Sequence, residues 1–164
     1  MAVSAVGRFC QWLEQTEPSQ LIQSAGWVVP SVQTVHILAI SAVAGSALIL
    51  NLRLMGLICT SQPLQGVSKR FAPVIWWSLP VLLATGTILT IGEPARELLN
   101  PVFRIKMVLI LTAMALLAFF QTRLSRDPRR YDRAAGRGAA FSIALSSLLL
   151  WTGIIFAGRL IAYV

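Results

Sequence analysis

Charge is scarce in this chain. Only 12% of its 164 residues are Asp, Glu, Lys or Arg, about half the share found in soluble globular domains. So little charge does not cover the surface of a small globule, where most residues lie near solvent. Acidic residues number 6, histidine occurs once, at His36, and cysteine twice, at Cys10 and Cys59. Without a CxxC pair or a Cys/His cluster, a structural zinc site is excluded. Two isolated cysteines likewise exclude a disulfide-stapled secreted fold. Hydrolase triads, phosphate-binding glycine loops and paired catalytic carboxylates are missing. Glu93 and Glu97 lie one helical turn apart and read as solvated. No internal repeat stands out.

What the chain has in quantity is apolar surface. Hydrophobic residues reach 56% and the mean hydropathy is +0.72, which excludes intrinsic disorder. Four apolar runs, at about 31–54, 72–92, 102–123 and 139–162, each offer roughly 20 residues or more, enough at 1.5 Å rise to cross a hydrocarbon layer of about 30 Å. In lipid the backbone must satisfy its own polar groups, so these runs are predicted to be helices. The expected fold is all-α: an integral membrane four-helix bundle over residues 28–164, preceded by an interfacial segment, 1–27. In that segment Phe9, Trp12, Leu13 and Thr16 follow helical spacing, Glu17-Pro18 breaks it, and Leu21, Ile22 and Ala25 resume it. Two short amphipathic helices in the membrane interface are expected, rather than a secretory signal. Pro73 is expected in the first turn of the second helix and Pro80 inside it. Glu93–Leu99 reads as a short helix outside the membrane, before Asn100-Pro101. Ser41, Ala42, Gly45 and Ser46, with Gly86, Gly153 and Gly158, mark close-packing faces.

Basic residues collect on one side. Arg53, Lys69 and Arg70 flank the first connection, and Arg123, Arg126, Arg129, Arg130, Arg133 and Arg137 the third. The other side has Arg8, Arg96, Arg104, Lys106 and Arg159. The positive-inside rule places the richer side in the cytoplasm. Both termini are then periplasmic, in a bacterial inner membrane. The arginine-rich loop reads as a topology determinant against anionic headgroups, not as a nucleic-acid site.

Few residues can carry chemistry. His36 lies about five residues into the first span, roughly 8 Å below the outer surface at helical rise. An ionisable residue at that depth faces protein or a water-filled cavity. Lys106 enters the third span at nearly the same depth, with Arg104 two residues away. Arg159 nears the outer end of the fourth span. A closed bundle would gather these groups into a shallow polar pocket. Each also has a plainer role: His36 bonded to a neighbouring helix, and the long cations snorkelling to headgroups. A neutral imidazole can ligate haem iron, and Lys or Arg can hold propionates. Trp76, Trp77, Phe103 and Phe156 could wall such a site. With one histidine, the haem would be five-coordinate, take Lys106 or a methionine as sixth ligand, or share His36 from two protomers. Copper would require softer partners such as Met107 or Met114.

The words QTVHILAISAVAGSALILNLRLMGL, NPVFRIKM and GRLIAY, in a stretch beginning WLEQTEPSQLI, resemble an uncharacterised bacterial membrane family known only as a domain of unknown function. More distantly, a first-span histidine followed by glycine, with a third span opening NP-x-F-x-x-K, is similar to CopD-type copper-resistance proteins and HemJ-type protoporphyrinogen oxidases. The HemJ-type resemblance implies haem b, with His36 and Lys106 as the functional pair. After Gly45 this chain reads SALILNLRLMG and lacks that family's further histidine. The expected function is a haem b or other redox-cofactor membrane protein. The rivals are an accessory subunit of a larger membrane complex, a homodimer among the assemblies it could form, and a small-molecule or metal carrier. No reaction can be read from these residues.

Overall fold

The computed structural model describes residues 5–129 and 131–161. Arg130 of the arginine-rich loop, residues 1–4, and residues 162–164, with Tyr163 of the closing GRLIAY, lie outside them. Seven α-helices follow in order: α1 Ala5–Glu14, α2 Glu17–Ser24, α3 Val28–Leu54, α4 Leu64–Gly92, α5 Pro94–Leu98, α6 Pro101–Arg126 and α7 Arg137–Leu160. A single 3₁₀ turn, Ala134–Gly136, leads into α7, and no strand occurs among the described residues. Four helices, α3, α4, α6 and α7, are each long and apolar enough to cross a bilayer. The chain is a multi-pass membrane protein. Its outward faces agree: Leu83 on α4 and Leu111 on α6 are 71% and 70% exposed, an arrangement favourable against lipid tails and costly against water.

Local chemistry sets the boundaries. Pro18, Pro94 and Pro101 stand in the first turns of α2, α5 and α6, where a missing N–H costs nothing. Asn100 caps α6, its Oδ1 accepting from the Val102 N–H at 2.9 Å. Gly56, at φ +74°, turns the chain sharply beyond α3 in the left-handed region that favours glycine. α4 begins eight residues before the apolar run does, because Leu64, Val67 and Ser68 are buried against the bundle. Lys69 and Arg70 are therefore helical. Pro73 lies well inside α4 and not in its first turn, and Pro80 is internal as expected.

The membrane helices form a ring in the order α3, α4, α6, α7. α3 packs extensively on α4, α6 on α7, and α3 on α7, whereas α4 and α6 meet only narrowly. The diagonal pairs, α3 with α6 and α4 with α7, have no close backbone approach. The core is uneven along the bundle axis. Its two clusters centre on Val43, Ala47, Leu50, Val67 and Ile75, and on Leu54, Leu64, Phe120, Leu124 and Ala144. Both lie in the half nearest the 55–63 and 127–136 connections. Toward the opposite end, where α3 and α6 begin, fewer side chains are buried.

The N-terminal helices close that looser end. Ser19 and Cys10 are essentially inaccessible. Ser19 Oγ donates to the Ile91 carbonyl at 2.8 Å and Gln23 Nε2 to the Gly92 carbonyl at 3.0 Å. These are last-turn carbonyls of α4, which have no partner within their own helix. Pro94 prevents α4 from simply continuing. The Cys10 thiol reaches the Pro94 carbonyl at 3.6 Å, so α1 rests on α5 while α2 caps α4.

Candidate functional site

His36 projects from the third turn of α3 toward α4. Its Nδ1 lies 2.7 Å from Thr85 Oγ1. The Thr85 hydroxyl donates its only proton to the Val81 carbonyl, 2.6 Å away, a back-bond one turn along its own helix. Toward the imidazole it can therefore only accept. In that arrangement Nδ1–H donates to Thr85 and Nε2 carries the lone pair. Gly86, next to Thr85, makes room for the ring: a Cβ there would stand 3.6 Å from His36 Cε1. No described residue bonds to Nε2, and this atom is not sealed away from the surface. The result is an oriented imidazole; with Nδ1 protonated it is in the state in which histidine binds a metal or accepts a proton.

Lys106 stands across the bundle on α6. Its chain turns toward α7, where Cε and Nζ both lie 3.9 Å from the position a Gly158 Cβ would take. No described carboxylate pairs with Lys106; Glu93 is bridged to Arg96 instead. The structure thus brings His36 and Lys106 into one layer of the loosely packed half. The other two expected cations stay at the rim: Arg104 and Arg159 are exposed.

Of the expected aromatic walls, Phe103 is half-buried one turn from Lys106 on α6, whereas the other three stand away. Trp77 is 79% exposed and Phe156 65%, so both face outward. Trp76 donates to Gln121 Oε1 at 3.1 Å, bridging α4 and α6, but it lies nine residues, about 13 Å of helix, from Thr85. The methionines are no nearer to a copper set. Met107 is exposed and Met114 packs on the core. No group of three or more His, Cys, Asp or Glu side chains converges among the described residues.

Small residues divide into two sets. Gly86, Gly153 and Gly158 face His36, Leu109 and Lys106 respectively, at distances where a Cβ would make ordinary van der Waals contact. On α3, by contrast, Ser46 is buried while Ser41, Ala42 and Gly45 are exposed. The packing face of α3 is the Val43–Ala47–Leu50 side.

Two polar features escape sequence reasoning. Asn51 Nδ2 donates to Ser147 Oγ at 3.0 Å, beside a partly open cavity of about 20 Å³, room for one water. Arg53, 8% exposed, donates to the Gln62 carbonyl and to Asp132 Oδ1. Asp132 Oδ2 in turn accepts from the Leu64 N–H at 3.3 Å, so one carboxylate joins α3, the start of α4 and the arginine-rich loop. Thr85, the residue that orients His36, also gives no signal in the sequence, where it is one threonine in an apolar run.

No curated protein and no solved structure matches the chain. One family model, described as a family of unknown function (DUF6644), matches residues 9–164.

Proposed function

Since the chain belongs to the DUF6644 family, its chemistry must be argued from its own residues, and we propose that it is a membrane-embedded haem b protein whose site lies in the loosely packed half of the bundle. His36 Nε2 is the ligand to iron, and the Lys106 ammonium is the partner of a propionate. The observation that carries this reading is the Thr85 hydroxyl, whose proton is committed to Val81. Ligating histidines characteristically donate their other ring N–H to a fixed acceptor, which sets the tautomer and raises ligand basicity. An unpaired ammonium at this depth also calls for an anion. The cavity at Asn51 is far too small for a porphyrin, and His36 and Lys106 are the residues that would hold the group. Haem b in such a setting supplies one-electron chemistry.

Orientation is part of the proposal. The basic connections lie in the cytoplasm and the His36 layer near the outer surface of a bacterial inner membrane. Purified full-length protein, from cells with haem in excess, is expected to show a Soret band. His36→Ala should lose the band while still inserting, because one residue hardly alters span hydropathy. A wild-type protein without the band under those conditions overturns the haem reading.

A second reading rests on the exposed Ser41–Ala42–Gly45 face. Small residues let another transmembrane helix approach closely, so the chain would serve as an accessory subunit of a larger membrane complex or as a homodimer. Gly45→Leu should then release the partner and leave the His36 layer unaltered. Carriage of a metal or small molecule at His36 would give stoichiometric ligand without a Soret band.

A further inference from the structure

At the opposite end of the bundle the connections enclose an open cleft of about 870 Å³. It lies where α3 ends and where α4 and α7 begin. Arg53 and Arg137 line it, with Thr60, Ser61 and Gln62 on one wall and Leu54, Met55 and Phe141 on another. Its one lining acid, Asp132, has both oxygens engaged, one by Arg53 and one by the Leu64 N–H. The arginines are not equally engaged. Arg53 uses Nε and Nη2 on Gln62 and Asp132. Its Nη1 bonds to no described residue and is not sealed off. Arg137 is exposed and pairs with no described residue, and its Nη2 lies 4.0 Å from the point where a Gly56 Cβ would stand. The N-terminal end of α7, with no side-chain cap, adds its positive dipole end to the same place.

This arrangement has a definite complement. The free donors call for an oxyanion, and guanidinium groups match the geometry of phosphate. The apolar wall distinguishes the site from one for a wholly soluble anion. Phe141, 52% exposed, sits one turn into a membrane helix, where a lipid chain would pass. We propose that this cleft binds the headgroup of an anionic phospholipid from the leaflet on its own face, its phosphate held by Arg53 Nη1 and Arg137 and its chains running past Phe141. The proposal is independent of any cofactor at His36. It also differs from diffuse attraction of the arginine-rich loop to a charged surface, which would not depend on which arginine is removed.

The experiment is native mass spectrometry of the full-length protein in detergent, titrated with phosphatidylglycerol, phosphatidylcholine or inorganic phosphate. Phosphatidylglycerol is expected to bind stoichiometrically and more tightly than the other two. Arg137→Gln should weaken it about tenfold or more, the range lost with a charge-assisted phosphate contact. Arg129→Gln, on the same loop but outside the cleft, should change it less than about twofold. Equal binding of phosphatidylcholine overturns the proposal, as does an equal loss in Arg129→Gln. Inorganic phosphate binding as tightly as the lipid would make the ligand a soluble anion and overturn the lipid assignment.

Discussion

Thr85 on α4 lies between His36 of α3 and the carbonyl of Val81. The hydroxyl is 2.6 Å from the Val81 carbonyl and 2.7 Å from Nδ1, and it has one proton to give. When the back-bond on α4 takes that proton, the hydroxyl accepts from Nδ1–H and Nε2 keeps the lone pair.

Thr85→Val tests that linkage, since valine keeps the shape and removes the acceptor. Without it, Nδ1–H loses a partly buried partner and the tautomer is no longer held. Cofactor retention is expected to fall about 10–100-fold, the usual cost of removing such an orienting partner, with about 1–3 kcal/mol of stability lost. Thr85→Ser should stay near wild type. The measurement is cofactor content per protein, read beside the thermal unfolding midpoint.

The N-terminal helices should detach by degrees. Ser19→Ala and Gln23→Ala each remove a donor to a last-turn carbonyl of α4. Each should cost about 0.5–1.5 kcal/mol. The two effects should not add, because Gln23 Nε2 also bonds Ser19 Oγ at 3.1 Å. Amide exchange over residues 5–24 is the readout. Faster exchange there, with α3 and α7 unchanged, is the expected pattern.

Asp132 and Asp127 should behave differently although they are five residues apart. Asp132 faces an arginine side chain that is 10% exposed, whereas Asp127 bridges Arg133, 63% exposed, at 3.3 Å. Asp132→Ala strands a buried guanidinium contact and the Leu64 N–H, and is expected to cost about 2–3 kcal/mol. Asp127→Ala should cost about 0–1 kcal/mol, as surface ion pairs do. Thermal unfolding of both variants in one detergent gives the comparison.

The helices were legible wherever the chain carries its own punctuation. Pro18, Pro94 and Asn100-Pro101 mark starts that the structure keeps. The depth shared by His36 and Lys106 could also be read, because rise per residue is constant along any helix. Rotation could not. α4 is apolar nearly all round, so nothing in its pattern says that Thr85, and not Thr87 or Thr90, faces α3. Its early start was hidden by Lys69 and Arg70, which look like a loop when hydropathy is the guide. They are tolerated because a helix may continue past the bilayer as long as its inner face stays buried. The Ser41–Gly45 face shows the same limit in reverse: spacing identifies a surface suited to close approach, but not whether a helix of the same chain occupies it.

The proposed orientation rests on charge alone and can be checked alone. Reporter fusions within 126–137 and after Val164 should report opposite sides, with the arginine-rich loop cytoplasmic. A periplasmic signal from the loop would invert the bundle and place the His36 layer near the cytoplasm.

Lys106 decides between a site and a surface anchor. A cation near mid-depth costs roughly 2.5–3.5 kcal/mol on insertion scales, and less close to the interface. Snorkelling would lower that cost by carrying the amine outward to headgroups. The structure lays Cε and Nζ 3.9 Å from the position of a Gly158 Cβ on α7. Lys106→Met keeps a similar chain without the charge. Lys106→Arg keeps the charge but adds a planar fork that does not fit beside Gly158 as the slender amine does. If Lys106 serves the His36 layer, Met should lose most bound cofactor and Arg should restore it only in part. Gly158→Val, which crowds the amine without touching its charge, should resemble the Arg variant. Should Met and Arg both retain wild-type cofactor, Lys106 has no part in the site and His36 must act without it.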